Sequence, residues 1–236
     1  LGEIMKLIIA NLKMNLSLNE IIEYKNSIQE PYKNLIIAPP YIYLDIMKSN
    51  NYAVASQNGY HIDKGAYTGE VSFKQLKNLG INYSMIGHSE RRQKFYETND
   101  IVKEKFISAV NNNIIPILCI GETKEERLSN RVNEVIEEQL KIVFDNVKVE
   151  NTIIAYEPVW AIGTGLTPTL KEINDVHIHI REFLKKYNIK TQILYGGSVN
   201  ENNIKEFSKS NNIDGFLIGS ASLDPKNLIR MIKETM

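Results

Sequence analysis

The sequence contains one cysteine, one tryptophan and no excess of either charge. The lone Cys119 excludes an internal disulfide, and its apolar neighbours predict a buried small hydrophobic side chain rather than a nucleophile. The 28 basic residues balance the 28 acidic residues, so nothing indicates a polyanionic partner such as nucleic acid. Any anion site must therefore be local, built from a few side chains and backbone N–H groups.

Long apolar runs are also missing from the chain. No segment approaches the roughly 20 apolar residues that a membrane-spanning helix needs, and no signal-peptide pattern is present. We therefore expect no membrane association and a cytoplasmic location. Residues 1–4 precede Met5, which we expect to be the natural start, with those four residues a remnant of expression.

Short apolar segments alternate with amphipathic segments eight times along the 236 residues. The apolar segments are continuous rather than alternating in polarity, as in parallel strands buried on both faces. Eight evenly spread units without a linker predict one α/β domain over residues 1–236, a single (β/α)8 barrel. An open doubly wound sheet is disfavoured because no Gly-x-Gly-x-x-Gly follows the first strand. The predicted strands are Lys6–Ala10, Leu35–Ala38, Ala53–Ser56, Tyr83–Ile86, Ile117–Ile120, Ile153–Tyr156, Gln192–Tyr195 and Gly215–Ile218.

Several helices carry recognisable start signals. Capping boxes are predicted at Ser17 and Thr169, and Asp224 is followed by a proline suited to a first helical turn. Apolar residues at helical spacing from Leu128 to Leu140 predict a buried helical stripe. The connection from residue 57 to about residue 69 matches neither helix nor strand, and connections of this length are usually functional.

Three residues suited to catalysis follow predicted strands, where active sites of barrels lie. Lys13 follows the first strand, His88 the fourth and Glu157 the sixth. Taken singly, each has an ordinary explanation: a surface lysine, a histidine at a helix start, or a Glu-Pro helix start. Together they favour one active site, and the glycine-bearing segment after Glu157 suits a lid over a general base.

The segment Gly87-His-Ser-Glu-Arg-Arg92 predicts a helix that begins near Ser89, with Ser89 as its N-cap. The positive end of that helix should lower the pKa of His88. A neutral imidazole that donates a hydrogen bond would result.

Glycine-rich segments follow the last two strands, at Tyr195-Gly-Gly-Ser-Val199 and Gly219-Ser-Ala-Ser222. Glycines let backbone N–H groups approach an anion closely, and this part of a barrel often binds phosphate. Gly163 could contribute a further donor. The other histidines show no metal-ligand spacing, so we predict no metal site: His61, His177 and His179.

These motifs resemble the triosephosphate isomerase family from about residue 11 to about residue 223, in the family's order. They are Asn11-Leu-Lys-Met-Asn15, Gly65-Ala-Tyr-Thr-Gly-Glu70, Gly87-His-Ser-Glu-Arg-Arg92, Cys119-Ile-Gly-Glu122, Ala155–Gly165, Tyr195-Gly-Gly-Ser198 and Asp214-Gly-Phe-Leu-Ile-Gly219. The resemblance implies interconversion of dihydroxyacetone phosphate and D-glyceraldehyde 3-phosphate through an enediolate, in glycolysis and gluconeogenesis. No metal or organic cofactor is implied, since hydrogen bonds alone can stabilise an enediolate.

The resemblance also implies a role for each matching residue. Glu157 would move the proton and His88 would polarise the carbonyl. Lys13 and Asn11 would support the substrate and the enediolate charge, with Glu90 as an acidic residue beside Lys13. The phosphate would be held by backbone N–H groups of Gly163, Ser198, Gly219 and Ser220.

The connection after the third strand resembles an arm that inserts into a second subunit near its active site. Thr68, Gly69 and Glu70 lie near its end and are the predicted interface residues. A homodimer is therefore implied, in which Thr68 helps to order Asn11 and Lys13 of the other copy.

The sequence departs from the family pattern at three places. Leu12 stands where tryptophan is usual, Leu166-Thr167-Pro168 replaces a commoner Lys-Thr-Ala, and Ser220 replaces a glycine. We expect altered packing, lid kinetics and phosphate affinity respectively, with the chemistry retained. Two alternatives stay open: another phosphate-binding barrel isomerase, and a catalytically silent barrel with an interaction role. Neither explains why Lys13, His88 and Glu157 occur together.

Overall fold

A computed structural model describes residues 5–162 and 166–236. Eight parallel strands form a closed barrel in sequence order, and β8 pairs with β1. The predicted (β/α)8 barrel is thus confirmed, with β1 ending one residue later and β5 beginning two residues earlier than predicted. The strands are β1 Leu7–Asn11, β2 Leu35–Ala38, β3 Ala53–Ser56, β4 Tyr83–Ile86, β5 Ile115–Ile120, β6 Ile153–Tyr156, β7 Gln192–Tyr195 and β8 Gly215–Ile218.

Two separate apolar cores explain why apolar residues dominate both faces of the strands. In β1, Ile8 packs outward against the helices, whereas Ile9 points into the barrel. The barrel interior also contains Met85, Cys119 and Leu217. Because neighbouring residues of a strand face opposite sides of the sheet and both sides are buried, most strand positions are apolar. The buried hydroxyls of Ser56 and Ser84 are exceptions, and they hydrogen-bond to each other.

Helices surround the barrel and connect successive strands. The capping boxes predicted at Ser17 and Thr169 are present, and Asp224 caps the last helix through the N–H of Lys226. The helices are α1 Leu18–Ser27, α2 Leu44–Met47, α3 Phe73–Asn78, α4 Ser89–Lys94, α5 Asn99–Asn111, α6 Lys124–Leu128, α7 Val132–Phe144, α8 Leu170–Lys185, α9 Ile204–Ser208 and α10 Pro225–Lys233. Short 3-10 turns occupy Tyr41–Tyr43, Val159–Ala161 and Ser220–Ser222.

The predicted apolar stripe from Leu128 to Leu140 is wrong at its first residue. The chain leaves the helical path between α6 and α7, where Asn130 has a φ of 55°. Leu128 is consequently 75% exposed, whereas Ile136 and Leu140 are fully buried. Apolar spacing does not reveal a left-handed residue that redirects the chain.

Residues 57–72 form the predicted long connection, with one isolated bridge between Tyr60 and Ser72. Its residues 63–70 are exposed to solvent. Over residues 5–162 and 166–236, no helix is both long and apolar enough to cross a membrane. The same part of the chain contains no group of three or more acidic, histidine or cysteine residues arranged to hold a metal.

Candidate active site

The carboxyl ends of the strands surround a cavity of about 240 Å³. Because the strands are parallel, the residues that follow them meet at one end of the barrel. Asn11 ends β1 and Lys13 follows it, while His88 and Glu157 come from β4 and β6. The opposite wall contains Gly196, Gly197, Ser198, Gly219 and Ser220 from the ends of β7 and β8.

Glu157 and His88 form the centre of this cavity. Oε1 of Glu157 lies 3.0 Å from Nε2 of His88, and the backbone N–H of Ser89 donates to Oε2, also at 3.0 Å. Glu157 is 2% exposed and His88 is 5% exposed. A buried carboxylate with a defined orientation and an imidazole within hydrogen-bond reach suits general base chemistry.

His88 itself, rather than Ser89, is the N-cap of α4. Its Nδ1 accepts the N–H of Glu90 at 3.2 Å, and Ser89 is already the first helical residue. The sequence prediction of a Ser89 cap is therefore wrong: the helix begins one residue earlier than a Ser89 cap requires, and the imidazole supplies the capping acceptor. An acceptor role for Nδ1 places the proton of a neutral ring on Nε2, facing the cavity.

Burial by itself lowers the pKa of His88, but the carboxylate of Glu157 raises it and Glu90 adds to that effect. The pKa of His88 therefore lies above the ordinary value of an imidazole. The predicted lowering is wrong for this arrangement, since contact between Glu157 and the ring depends on tertiary structure. Moving the carboxylate of Glu157 away from Nε2 would remove the main cause of the raised pKa of His88.

Lys13 adopts an uncommon backbone conformation for a non-glycine residue, with a φ of 51°. Its N–H donates to Oδ1 of Asn11 at 3.0 Å, and its carbonyl accepts from Nε2 of Gln57 at 2.8 Å. Such a conformation costs of order 1–3 kcal/mol and persists where surrounding contacts impose it. The ammonium is thereby directed into the cavity.

Glu90 lies beside Lys13, as predicted, with Oε1 2.7 Å from the lysine Nζ. Burial raises the pKa of Glu90. The hydrogen bond from Lys13 and the positive charges of His88, Lys13 and Lys94 together outweigh burial, so the pKa of Glu90 lies below its usual value. Asn11 completes this group, with its Nδ2 3.4 Å from Nε2 of His88.

The glycine-rich wall has little room for side chains. A Cβ at Gly197 would lie 2.1 Å from the Tyr195 hydroxyl, and one at Gly219 would lie 3.2 Å from Cε of Lys13. Ser220 begins the 3-10 turn and is not among the described residues with positive φ, so its side chain is tolerated. Gly163, the remaining predicted phosphate donor, lies outside the described residues.

Two residues that support the site received no role from the sequence. Gln57 holds the backbone of Lys13, and the buried Glu122 accepts from Nε1 of Trp160 at 2.8 Å. Glu122 comes two residues after the end of β5, so the rule that strand ends carry function could have indicated its importance. Thr68, Gly69 and Glu70 do not line the cavity of their own chain.

Comparison with known proteins agrees with this geometry. The family model described as triosephosphate isomerase matches residues 6–235. The chain belongs to the triosephosphate isomerase family. The predicted interconversion of dihydroxyacetone phosphate and D-glyceraldehyde 3-phosphate is thereby confirmed, and nothing favours another phosphate-binding barrel or a silent one.

Curated relatives cover nearly the whole chain. A triosephosphate isomerase from Malacoplasma penetrans is 43% identical over 97% of this chain and 98% of its own length. One from Aquifex aeolicus is 39% identical over 96% of this chain and 98% of its own length. One from Neurospora crassa is 42% identical over 92% and 93% respectively.

Proposed function

We propose that Glu157 is the base that carries out the isomerisation. The observation that supports this role is the buried contact of 3.0 Å between its carboxylate and His88 in a cavity that also contains Lys13. Glu157 would take the proton from the carbon beside the substrate carbonyl. The C–H electron pair forms the double bond of an enediolate as the carbonyl electrons move to oxygen. The same carboxyl then returns the proton to the neighbouring carbon, which was the carbonyl carbon. The hydroxyl proton of the first carbon is transferred through Nε2 of His88 to the other oxygen, so that the first carbon becomes the new carbonyl.

His88 is proposed to donate its Nε2–H to the substrate carbonyl oxygen. In the structure Nε2 of His88 faces the carboxylate of Glu157. The carboxylate must therefore move away from Nε2 when the substrate binds. Lys13 and Asn11 would stabilise the developing negative charge through fixed donors, which need no rearrangement during the reaction. Glu90 would hold the ammonium of Lys13 in place through their 2.7 Å contact.

The phosphate group is proposed to bind against the glycine-rich wall. The side-chain hydroxyl of Ser198 donates to the carbonyl of Ala161, which leaves backbone N–H groups as the donors for an anion. Lys13 adds positive charge near Gly219. The proposed donors are the N–H groups of Gly163, Ser198, Gly219 and Ser220.

A coupled assay of glyceraldehyde 3-phosphate isomerisation tests the assignment of the base. Glu157→Gln keeps the shape of the side chain but removes its basicity, and we expect its activity to be abolished. Glu157→Asp retracts the carboxylate by about one bond length, and we expect kcat/KM to fall about 10²-fold. Equal kcat/KM in the parent and Glu157→Asp would contradict the proposal. Equal, low activity in the parent and Glu157→Gln would indicate contamination by a host isomerase.

A homodimer is the second part of the proposal. Beside the site lies another cavity of about 280 Å³ that shares Asn11, Lys13 and His88 with it. Its rim includes Met14, which is 94% exposed, and Phe95, which is 61% exposed. Large exposed apolar side chains grouped at a cavity are typical of an interaction site. The exposed residues 63–70 of a second copy, with Thr68, Gly69 and Glu70, are the proposed occupant.

We also propose that one domain spans residues 1–236 and that the protein acts in the cytoplasm. The closed barrel topology supports the single domain, and the triose phosphate substrate of the family supports the proposed location.

A further inference from the structure

Arg92, in the last turn of α4, connects three segments that surround the catalytic pair. Its Nε donates to the carbonyl of Gly87 at 2.8 Å, and its Nη1 donates to Oδ1 of Asn99 at 2.7 Å. Nη2 reaches the carbonyl of Cys119 at 3.4 Å. One guanidinium thus joins the end of β4, the end of β5 and the start of α5.

The backbone that Arg92 holds carries His88 and Glu157. Gly87 directly precedes His88 and has a φ of 71°, and a Cβ there would lie 3.0 Å from Nη2 of Arg92. On the other side, Ile120, the neighbour of Cys119, accepts the N–H of Glu157 at 2.7 Å. A shift of the guanidinium would therefore displace both catalytic groups.

The charge of Arg92 has no direct partner. Its neighbour Arg91 forms an ion pair with Glu97, whereas all three acceptors of Arg92 are neutral. No carboxylate among the described residues lies within 4.0 Å of its nitrogens. Burial lowers the pKa of Arg92, and the charges of Glu157 and Glu97 partly offset that effect.

The carboxylate of Glu157 is in a complementary position. It is buried, and within the described part of the chain His88 is the only cationic residue within 4.0 Å of it. A buried negative charge without a permanent cationic partner is costly. The half-buried guanidinium of Arg92 supplies a positive charge on the neighbouring segment, and such a charge offsets part of that cost even without direct contact.

We infer that Arg92 is a positioning residue for the catalytic pair: it fixes the ends of β4 and β5, and its unpaired charge stabilises ionised Glu157. The inference rests on the proposed function only in taking Glu157 and His88 as the catalytic residues. Other ionisable groups also act here: His88 after β4, Lys13 after β1, Cys119 on β5, Glu90 and Arg91 on α4, and Glu97 before α5.

The test follows the carboxyl carbon of Glu157 by NMR through a pH titration, with no substrate present. The resonance is assigned by its loss in Glu157→Gln. In Arg92→Gln, which removes the charge, we expect the titration to move upward, because the positive charge that favours the carboxylate is lost. Arg92→Lys, which keeps the charge, should titrate close to the parent.

Asn99→Asp provides a second test that keeps Arg92 in place. The new carboxylate would lie at the Asn99 position, 2.7 Å from Nη1, and would neutralise the unpaired charge. Near the start of α5 an acidic residue is favourable, so this variant should fold. We expect a smaller upward shift than in Arg92→Gln. Arg131→Gln, which removes a surface guanidinium paired with Glu134, is the matched control and should shift nothing.

The catalytic readout is the pH at which kcat/KM falls on the acidic side of its pH profile. In each variant, this pH should move in the same direction as the NMR titration. A merely structural role for Arg92 would lower activity without moving either curve. A Glu157 titration that stays at the parent pH in both Arg92→Gln and Asn99→Asp would overturn the inference. A parent without isomerase activity would refute the proposed function instead, since the NMR result does not depend on turnover.

Discussion

The indole N–H of Trp160 donates to Oε1 of Glu122 at 2.8 Å, beneath the guanidinium of Arg127, which lies 4.7 Å from the indole ring centre. Glu122 is fully buried and also accepts from the hydroxyl of Tyr156. Arg127 contacts Glu122 at 2.9 Å and Glu172 at 2.7 Å. It thus joins the 3-10 turn after Glu157 to the capping box of α8. The side chain of Arg127 therefore connects the segment that precedes residues 163–165 with the segment that follows them.

Arg127→Met should destabilise the fold, because it leaves the buried carboxylate of Glu122 without its cation. We expect the free energy of unfolding to fall by about 3 kcal/mol. Denaturant unfolding at fixed protein concentration measures it, and the fluorescence of the single tryptophan reports the transition at this site.

A double-mutant cycle separates charge from packing at this position. Glu122→Gln should make Arg127→Met less damaging, since an amide needs no cationic partner. Arg131→Met, which removes an exposed ion pair with Glu134, should leave the free energy of unfolding nearly unchanged, because solvent screens the pair. Additive effects of the Glu122 and Arg127 changes would contradict this account.

His88→Gln should mainly lower kcat, because the Nε2–H is proposed to act on charge that develops in the transition state. Removing one such donor typically costs about 10²–10³-fold in kcat. Steady-state kinetics with KM determined separately distinguishes the cases. An unchanged kcat with a raised KM would make His88 a binding residue.

His177 should make stability depend on pH. It is fully buried, its Nδ1 lies 3.0 Å from the carbonyl of Asn212, and its Nε2 lacks a partner among the described residues. Burial lowers its pKa to about 4. An unfolded histidine, with a pKa of about 6.5, binds the proton first, so the folded state loses stability as pH falls from about 6.5 to about 4.

The expected loss from His177 over that range is about 3 kcal/mol. Unfolding curves for the parent and His177→Gln at several pH values measure it. The difference at pH 8 gives the packing cost of the substitution, and the change in that difference towards pH 4 gives the proton effect. A difference that stays constant with pH would contradict the prediction.

Dissociating the proposed dimer should reduce activity, because Thr68 is expected to order Asn11 and Lys13 of the other copy. Met14→Glu places a charge on the exposed rim of the shared cavity and should produce monomers of low activity. Ile178→Glu, on the exposed side of α8, is the matched control and should remain a fully active dimer. Sedimentation and activity are measured at the same concentrations. A fully active monomer would contradict the proposal.

Much of the fold could be predicted because its signals are local. Eight apolar segments and their spacing predicted the barrel, since a strand buried on both faces is mostly apolar. The capping boxes at Ser17 and Thr169 were predictable because their partners lie three residues away. The break after Leu128 was not, because Asn130 shows no apolar signal.

The order of residues along the chain shows which chemical groups follow which strands, and this places Lys13, His88 and Glu157 at one end of a barrel. The contacts that those groups make depend on the folded chain. Folding makes His88 the cap of α4, places Glu157 against the ring and thereby raises the pKa of His88. Among the described residues, Arg92 forms no ion pair with a carboxylate, whereas its neighbour Arg91 forms one with Glu97. Strand periodicity and helix capping involve residues only a few positions apart, so they can be predicted from the sequence. Burial and contacts between charges involve segments that are far apart in sequence and meet only in the folded chain.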